Sequence, residues 1–376
     1  PIDTNIGVVG AGVSGLLLTN ELIQRGYKVQ LIGPKDHKNQ LLGTWRSTLT
    51  PEPQRDYVVG SWKAWDFCFA GQAFSHVGSH YRYEVIDGKA MRLGLEETLD
   101  SDANCTRHFE QVVGISQTDL KYIATLEGNE AIDSLDFLVD TRPPERAAGC
   151  CIQQFFGFYL EVSPLEINLK RPLIMDYPPA TDQLNESVFI YALPISEKKV
   201  LIEATIFDVE PRDQDYFVYH IEQWLRGRKK EDLLSSVLEK EGGLLPMGET
   251  VPRFRIANSF GTAGGGTRPS TGYTLLGIEQ QISRVNSWTV SKGIPKFEYS
   301  RLAKFMDAKF LNVLRNEPHN MRQIFHKMAE IKSNVFWHGL SNQFIHPEWH
   351  GFVFYDLIFP LFLFLLIHLI LQYKNI

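Results

Sequence analysis

A strand, a G-x-G-x-x-G turn and a helix at the N-terminus, β-rich alternating runs in the middle and a second glycine loop near residue 265 predict an α/β fold. Its expected form is a Rossmann-like nucleotide-binding domain with an inserted antiparallel-sheet domain and a helical, then hydrophobic, C-terminal tail. With 376 residues the chain is long enough to bury a sizeable core in one large domain or two.

The elements follow in order. Ile6–Val9 reads as a buried strand, Gly10-Ala11-Gly12-Val13-Ser14-Gly15 as the turn and Leu16–Ile23 as the helix. Gly10 makes the tight turn, Gly12 lets the backbone approach a pyrophosphate, and Gly15 allows close helix–strand packing. The helix N-terminus then offers N–H groups to phosphate. Gly26 ends the helix, and Val29–Ile32 is the second strand. An acid normally closes that strand and holds a ribose hydroxyl. Here Gly33 stands in its place, and Asp36 is the nearest carboxylate.

Residues 1–50 are read as the first nucleotide half-unit. Residues 51–110 are rich in aromatics (Trp62, Trp65, Phe67, Phe69, Tyr81, Tyr83) and are assigned, with 149–249, to a substrate domain. Residues 111–148 return to the nucleotide domain and contain a short apolar strand ending in Asp140-Thr141-Arg142. Within 149–249, Val188–Tyr191 and Lys199–Ile202 read as antiparallel strands, Phe217–Glu241 as helix and Gly242–Gly248 as a turn. Residues 250–290 complete the nucleotide domain. Its loop Gly261–Tyr273, with Gly264, Gly265, Thr271 and Gly272, leads into a helix at about Thr274–Val285. Such a loop brings a second helix N-terminus to a pyrophosphate or a flavin ring. This order of motifs suggests a flavin monooxygenase-like architecture. Residues 291–350 read as helical, and 352–372 as a hydrophobic tail.

Composition narrows the function classes. A hydrophobic content of 44% excludes a polytopic membrane protein, and a net charge of -6 argues against a nucleic-acid partner. The basic run Arg226–Lys230 is a solvated face or a contact to an anionic membrane surface. Cys68, Cys105, Cys150 and Cys151 form no metal-type pair, no metal site is expected, and a reducing compartment fits best. No secretory signal is read before the first strand, and the numbering opens at Pro1, which leaves room for an upstream methionine or leader. Leu357–Leu371 is apolar apart from His368. A crossing helix needs roughly 20 apolar residues. The tail reads as a single crossing helix, an anchor or a buried core helix; its terminal position and lack of a polar face favour association with the cytoplasmic side of a membrane.

Three carboxylates lie in apolar segments. Glu161 closes Gln153-Gln154-Phe155-Phe156-Gly157-Phe158-Tyr159-Leu160-Glu161, Asp176 closes Pro172-Leu173-Ile174-Met175-Asp176, and Glu203 sits in Leu201-Ile202-Glu203-Ala204-Thr205. A desolvated carboxyl has a raised pKa and can donate a proton near neutral pH. Aromatic rings tolerate a cation. The combination suggests protonation chemistry on an apolar molecule. The plainer alternative places each acid on the solvated face of a strand.

These segments resemble the flavin-dependent lycopene cyclase family, of the bacterial lycopene β-cyclase type, to about residue 345. The resemblance runs through Gly10-x-Gly12-x-x-Gly15, Thr44-Trp45, Asp140-Thr141-Arg142, Phe155-x-Gly157-x-x-x-Glu161, Pro172–Asp176, Leu201–Thr205 and Pro269-Ser270-Thr271-Gly272-Tyr273. Gly43 stands where the family has histidine, and Pro143 where it has glycine. The resemblance implies cyclisation of the linear ends of lycopene to ionone rings, with β-carotene formed through γ-carotene and no net redox change. It implies reduced FAD as cofactor, NAD(P)H as electron source, and lycopene and other linear carotenoids as partners; membrane lipid is expected as a partner from the hydrophobic tail, which goes beyond the resemblance. It makes Glu161 the carboxyl closest to the reacting end, Glu203 a second acid/base, and Asp176 a group that positions the flavin or acts as another acid. Two other readings stand beside it. One is another FAD-dependent isoprenoid reductase or hydroxylase, and the other is a non-enzymatic carotenoid carrier.

Overall fold

The computed structural model describes residues 2–36, 38–47, 54–78, 81–118, 121–178, 188–248, 250–285, 293–294 and 299–330. Five parallel strands form the nucleotide-type sheet, in the order Asn258–Ser259, Phe137–Asp140, Ile2–Val9, Tyr27–Ile32 and Cys105–His108. Apolar runs build it because both faces are covered. Ile6, Val8, Val29, Leu31 and Val139 are all buried there. Helix Val13–Gln24 packs Leu16, Leu18, Leu22 and Ile23 into the same core and ends at Gly26, in the left-handed conformation with φ 84°. Helix Gly88–Asp100 begins where the Asp87 side chain accepts from the Ala90 N–H at 2.9 Å. The strand Cys105–His108 joins this parallel sheet just ahead of residue 111, where the sequence reading places the return.

The second large sheet has seven strands. Their order is Val237–Met247, Cys151–Glu161, Lys199–Asp208, Val188–Ser196, Leu173–Tyr177, Ala64–Phe69 and Gln72–Val77. Neighbours are antiparallel, except that Leu173–Tyr177 runs parallel to Ala64–Phe69. Side chains alternate between its two faces. Along Lys199–Asp208, Val200, Ile202, Ala204 and Ile206 pack with Phe217, Ile221 and Trp224 of helix Gln214–Gly227. On the opposite face Leu201 and Phe207 pack with Val313, Leu314 and Phe325 of helices Arg301–Asn316 and Met321–Ala329. A three-stranded antiparallel sheet has the order Leu41–Ser47, Tyr81–Asp87 and Val58–Trp62, and its strands are interleaved in sequence with those of the large sheets.

One element differs from the sequence reading. The helix expected over Phe217–Glu241 ends at Gly227. A 3₁₀ turn follows at Glu231–Ser236, and Val237–Met247 is an edge strand paired along Cys151–Glu161. Long-range pairing overrides the helical preference of Leu-Glu-Lys-Glu, and exposed charges suit an edge. Gly242 and Gly243, read as a turn, lie in the strand beside Phe156 and Phe155. A Cβ at Gly243 would stand 2.8 Å from the Phe155 ring. The hydrophobic tail at 352–372 lies outside the described residues. Among the described residues no helix is long and apolar enough to cross a membrane.

Candidate active site

A cavity of about 570 Å³ runs between the two sheets and the C-terminal helices. The phosphate-type turn opens onto it. Gly10 holds φ 105° and donates its N–H to the Ile32 carbonyl at 2.7 Å. A Cβ at Gly15 would stand 1.8 Å from the Gly10 carbonyl oxygen, so the helix sits as close to the strand as a backbone allows. A Cβ at Gly12 would meet nothing within 4 Å, and Gly12, Val13 and Ser14 line the cavity. Gly12→Ala is therefore expected to leave thermal stability within about 0.5 kcal/mol. It should weaken binding of a phosphate-bearing cofactor, as measured by retention on purification.

The other predicted cofactor residues divide into two groups. Thr271 and Gly272 line the cavity, and Gly272 has φ 73°. Gly264 and Gly265 build the preceding turn. The side chain of Gln281 clamps it, accepting from Gly261 N–H and donating to the Gly264 carbonyl, each at 2.8 Å. Asp140 and Arg142 do not line the cavity. They form a bidentate pair at 2.9 and 2.8 Å, and Arg142 also donates to the Val112 carbonyl. Thr141 between them faces the cavity and donates to the Val9 carbonyl. Sequence reasoning missed Arg268 and Asp307. Both are buried and line the cavity, and with Ser270 they tie the glycine loop to helix Arg301–Asn316.

The chemistry concentrates on one row of the seven-stranded sheet. Glu241 and Glu203 each stand directly opposite Gly157, on the strands flanking it, and Tyr191 stands opposite Glu203 on the next strand. Residues in one such row share a face. Gly157 carries no side chain, so the two carboxyl groups meet over it and are hydrogen-bonded partners. Glu241 also accepts from the Tyr159 hydroxyl and, at 3.3 Å, from the Leu41 N–H. Glu203 is 7% exposed, lines the cavity, and its Oε1 has no hydrogen-bond partner among the described residues. Burial first, then the Glu241 charge, pushes the Glu203 carboxyl well above the carboxylate range. Burial is the largest cause for Glu241 too and leaves its carboxyl raised, against the lowering by hydrogen bonds from Glu203, Tyr159 and Leu41 and by the charge of Lys199. Tyr83 and Tyr191 join hydroxyls at 2.6 Å beside the pair, and burial pushes Tyr273 up to about 12, so this wall is neutral.

The other two predicted acids are elsewhere. Glu161 is exposed at the end of its strand and does not line the cavity. The aromatic surroundings read from the sequence are split by the strand's alternation. Phe156 and Phe158 turn toward the helix Gln214–Gly227, and Glu161 is the exposed last residue of the strand, paired opposite Lys199. Asp176 is buried on the helix side. It accepts from Trp224 Nε1 and Arg228 Nη2, both at 2.8 Å, which absorbs part of the basic run into the fold. Asp176→Ala leaves the Trp224 donor without this partner. It is expected to cost about 1–3 kcal/mol of stability by thermal unfolding, with turnover per folded molecule unchanged.

Sheet order, glycine turns and cavity position together define the class: the fold is that of the FAD-binding monooxygenases and reductases. Solved structures with this fold include a geranylgeranyl bacteriochlorophyll reductase-like protein from Thermoplasma acidophilum, at 13% identity and TM-score 0.57, with 88% of this chain and 89% of that one covered. They also include HpxO of Klebsiella pneumoniae complexed with FAD and uric acid, at 10% identity and TM-score 0.61, covering 87% and 92%. A third is 2,6-dihydroxypyridine-3-hydroxylase from Arthrobacter nicotinovorans, at 12% identity and TM-score 0.56, covering 88% and 92%. Within that fold the chain belongs to the lycopene cyclase family: the model described as lycopene cyclase protein matches residues 5–344.

Proposed function

We propose that this protein closes the linear ends of lycopene into ionone rings, giving β-carotene through γ-carotene without net redox change. The observation that carries the reading is the place of Glu203: a buried carboxyl lining an apolar cavity, in a chain of this family, with burial raising its pKa. Glu203 gives its proton to the terminal double bond of the substrate. The resulting carbocation is attacked by a neighbouring double bond, which forms the ring bond. Loss of a C–H proton then leaves the ring alkene, so one proton enters and one leaves. Phe67, Phe155, Tyr83 and Tyr191 line the cavity and present ring faces and neutral hydroxyls that tolerate the cation.

The chain's residues fit FAD. Gly12 leaves open space for a pyrophosphate, the N-terminus of helix Val13–Gln24 lines the cavity, and Thr271 and Gly272 approach from the second loop. When bound and reduced, with NAD(P)H as electron source, the flavin would supply negative charge beside the cation. An apolar substrate and the tail at 352–372 support work at the cytoplasmic side of a membrane, in contact with lipid.

The test is expression in a lycopene-accumulating bacterial host, with pigments separated by chromatography. Conversion to monocyclic and then bicyclic carotene is expected, and the absorption spectrum identifies the ring. Unchanged lycopene with a flavin-loaded protein would sink the cyclase reading. A nicotinamide consumed per product would mark an isoprenoid reductase or hydroxylase, and binding without turnover would mark a carrier.

A further inference from the structure

We propose that Glu241 is the positioning partner of Glu203: the two carboxyls hold one proton between them over Gly157, and Glu241 keeps that proton on Glu203 until a substrate double bond takes it. This rests on the cyclase reading above. Strand register carries it. Glu241, Gly157 and Glu203 occupy one row, and the missing side chain at Gly157 is the space in which the carboxyls meet. The hydrogen bonds are asymmetric. Glu241 Oε2 accepts from both Tyr159 and Leu41, which favours its ionised form. Glu203 Oε1 has no partner among the described residues. Two adjacent carboxyls in a buried site do not both ionise readily, so the second holds the proton.

The groups facing the pair are Tyr159 on the central strand, Tyr191 beyond Glu203, Tyr83 and Asp87 on the strand Tyr81–Asp87, Tyr273 on the glycine loop, and Lys199 at the far end of the Glu203 strand. The tyrosines are neutral. Lys199 carries the positive charge among these and lies 4.5 Å from the Tyr159 ring centre. In the reaction Glu203 loses its proton to carbon, and the carbocation offsets the second negative charge. The proton released on alkene formation returns to the pair, so no oxidant or reductant is consumed.

The experiment compares wild type, Glu203→Gln, Glu241→Gln, Glu241→Asp and Tyr159→Phe. Turnover of lycopene is read across pH, and the infrared band of the neutral carboxylic acid is titrated in the same proteins. Removing the Glu241 charge makes Glu203 easier to ionise. The band lost in Glu203→Gln should therefore titrate at lower pH in Glu241→Gln, and the alkaline limb of the rate profile should move down with it. Turnover should fall about 100-fold, with partial rescue in Glu241→Asp. Should Glu241→Gln fold poorly, Tyr159→Phe provides the second reading: one hydrogen bond to the Glu241 oxygen is gone, and the limb should move the other way. Wild-type turnover and an unmoved band in Glu241→Gln, with Glu203→Gln inactive, would overturn this proposal and leave the cyclase reading standing. Lycopene untouched by wild type would overturn the cyclase reading and this inference with it.

Discussion

Glu203→Gln is expected to yield a folded protein whose conversion of lycopene falls by about 10²–10⁴-fold, the usual worth of a positioned general acid. The amide has the size of the carboxylic acid and donates to Glu241 as the neutral acid does, so packing is retained. Folding carries a second signature. The Glu203 pKa in the folded state lies above its ordinary value of 4.5, so the folded protein holds the proton more tightly than the unfolded chain. Wild-type stability from this group is fully present below pH 4.5 and is lost as pH rises toward the folded pKa. Glutamine does not titrate. The variant should thus match wild type in acid and gain on it progressively as pH rises, as read by melting temperature against pH. Glu161→Gln, by contrast, should retain wild-type turnover, because Glu161 is exposed and outside the cavity. Pigment analysis of the two variants side by side separates the carboxylates, and an inactive Glu161→Gln would refute the assignment to Glu203.

Gly157→Val has the next largest expected effect. Even a Cβ at this position would stand 2.5 Å from Glu203 Cγ and 2.6 Å from the Ile202 carbonyl oxygen. The side chain therefore enters the space where Glu203 and Glu241 meet. Overpacking of this kind costs about 1–3 kcal/mol, visible as a lowered melting temperature. A displacement of roughly 1 Å at the acid costs about 100-fold in rate. Turnover should fall more than the lost folded fraction accounts for. Equal losses of turnover and folded protein would show that Gly157 serves packing alone.

Local chemistry was legible where neighbours in sequence are neighbours in space. Gly10, Gly12 and Gly15 follow a strand and open a helix; Gly10 has the left-handed φ and Gly15 the close approach that their places in the turn require, while Gly12 leaves open space at the cavity. The helix Leu275–Arg284 begins within a residue of the expected start. Glu203 was legible as an acid in an apolar strand. Glu241 was not, because Leu238-Glu239-Lys240-Glu241 has the charge spacing of an exposed helix. Only pairing with Cys151–Glu161 makes it a strand. Glu161 and Asp176 sit in equally apolar segments, and nothing in those segments says on which face the side chain emerges.

The chain by itself thus determined the class of fold, the phosphate-type turn and the family, since these reside in contiguous residues whose backbone needs are local. The tertiary structure decided which carboxylates meet. A strand's side chains alternate at each residue, so register across three strands placed Glu203 and Glu241 over Gly157 inside the cavity. The same rule put Asp176 against Trp224 on the other face and Glu161 out at the strand's end.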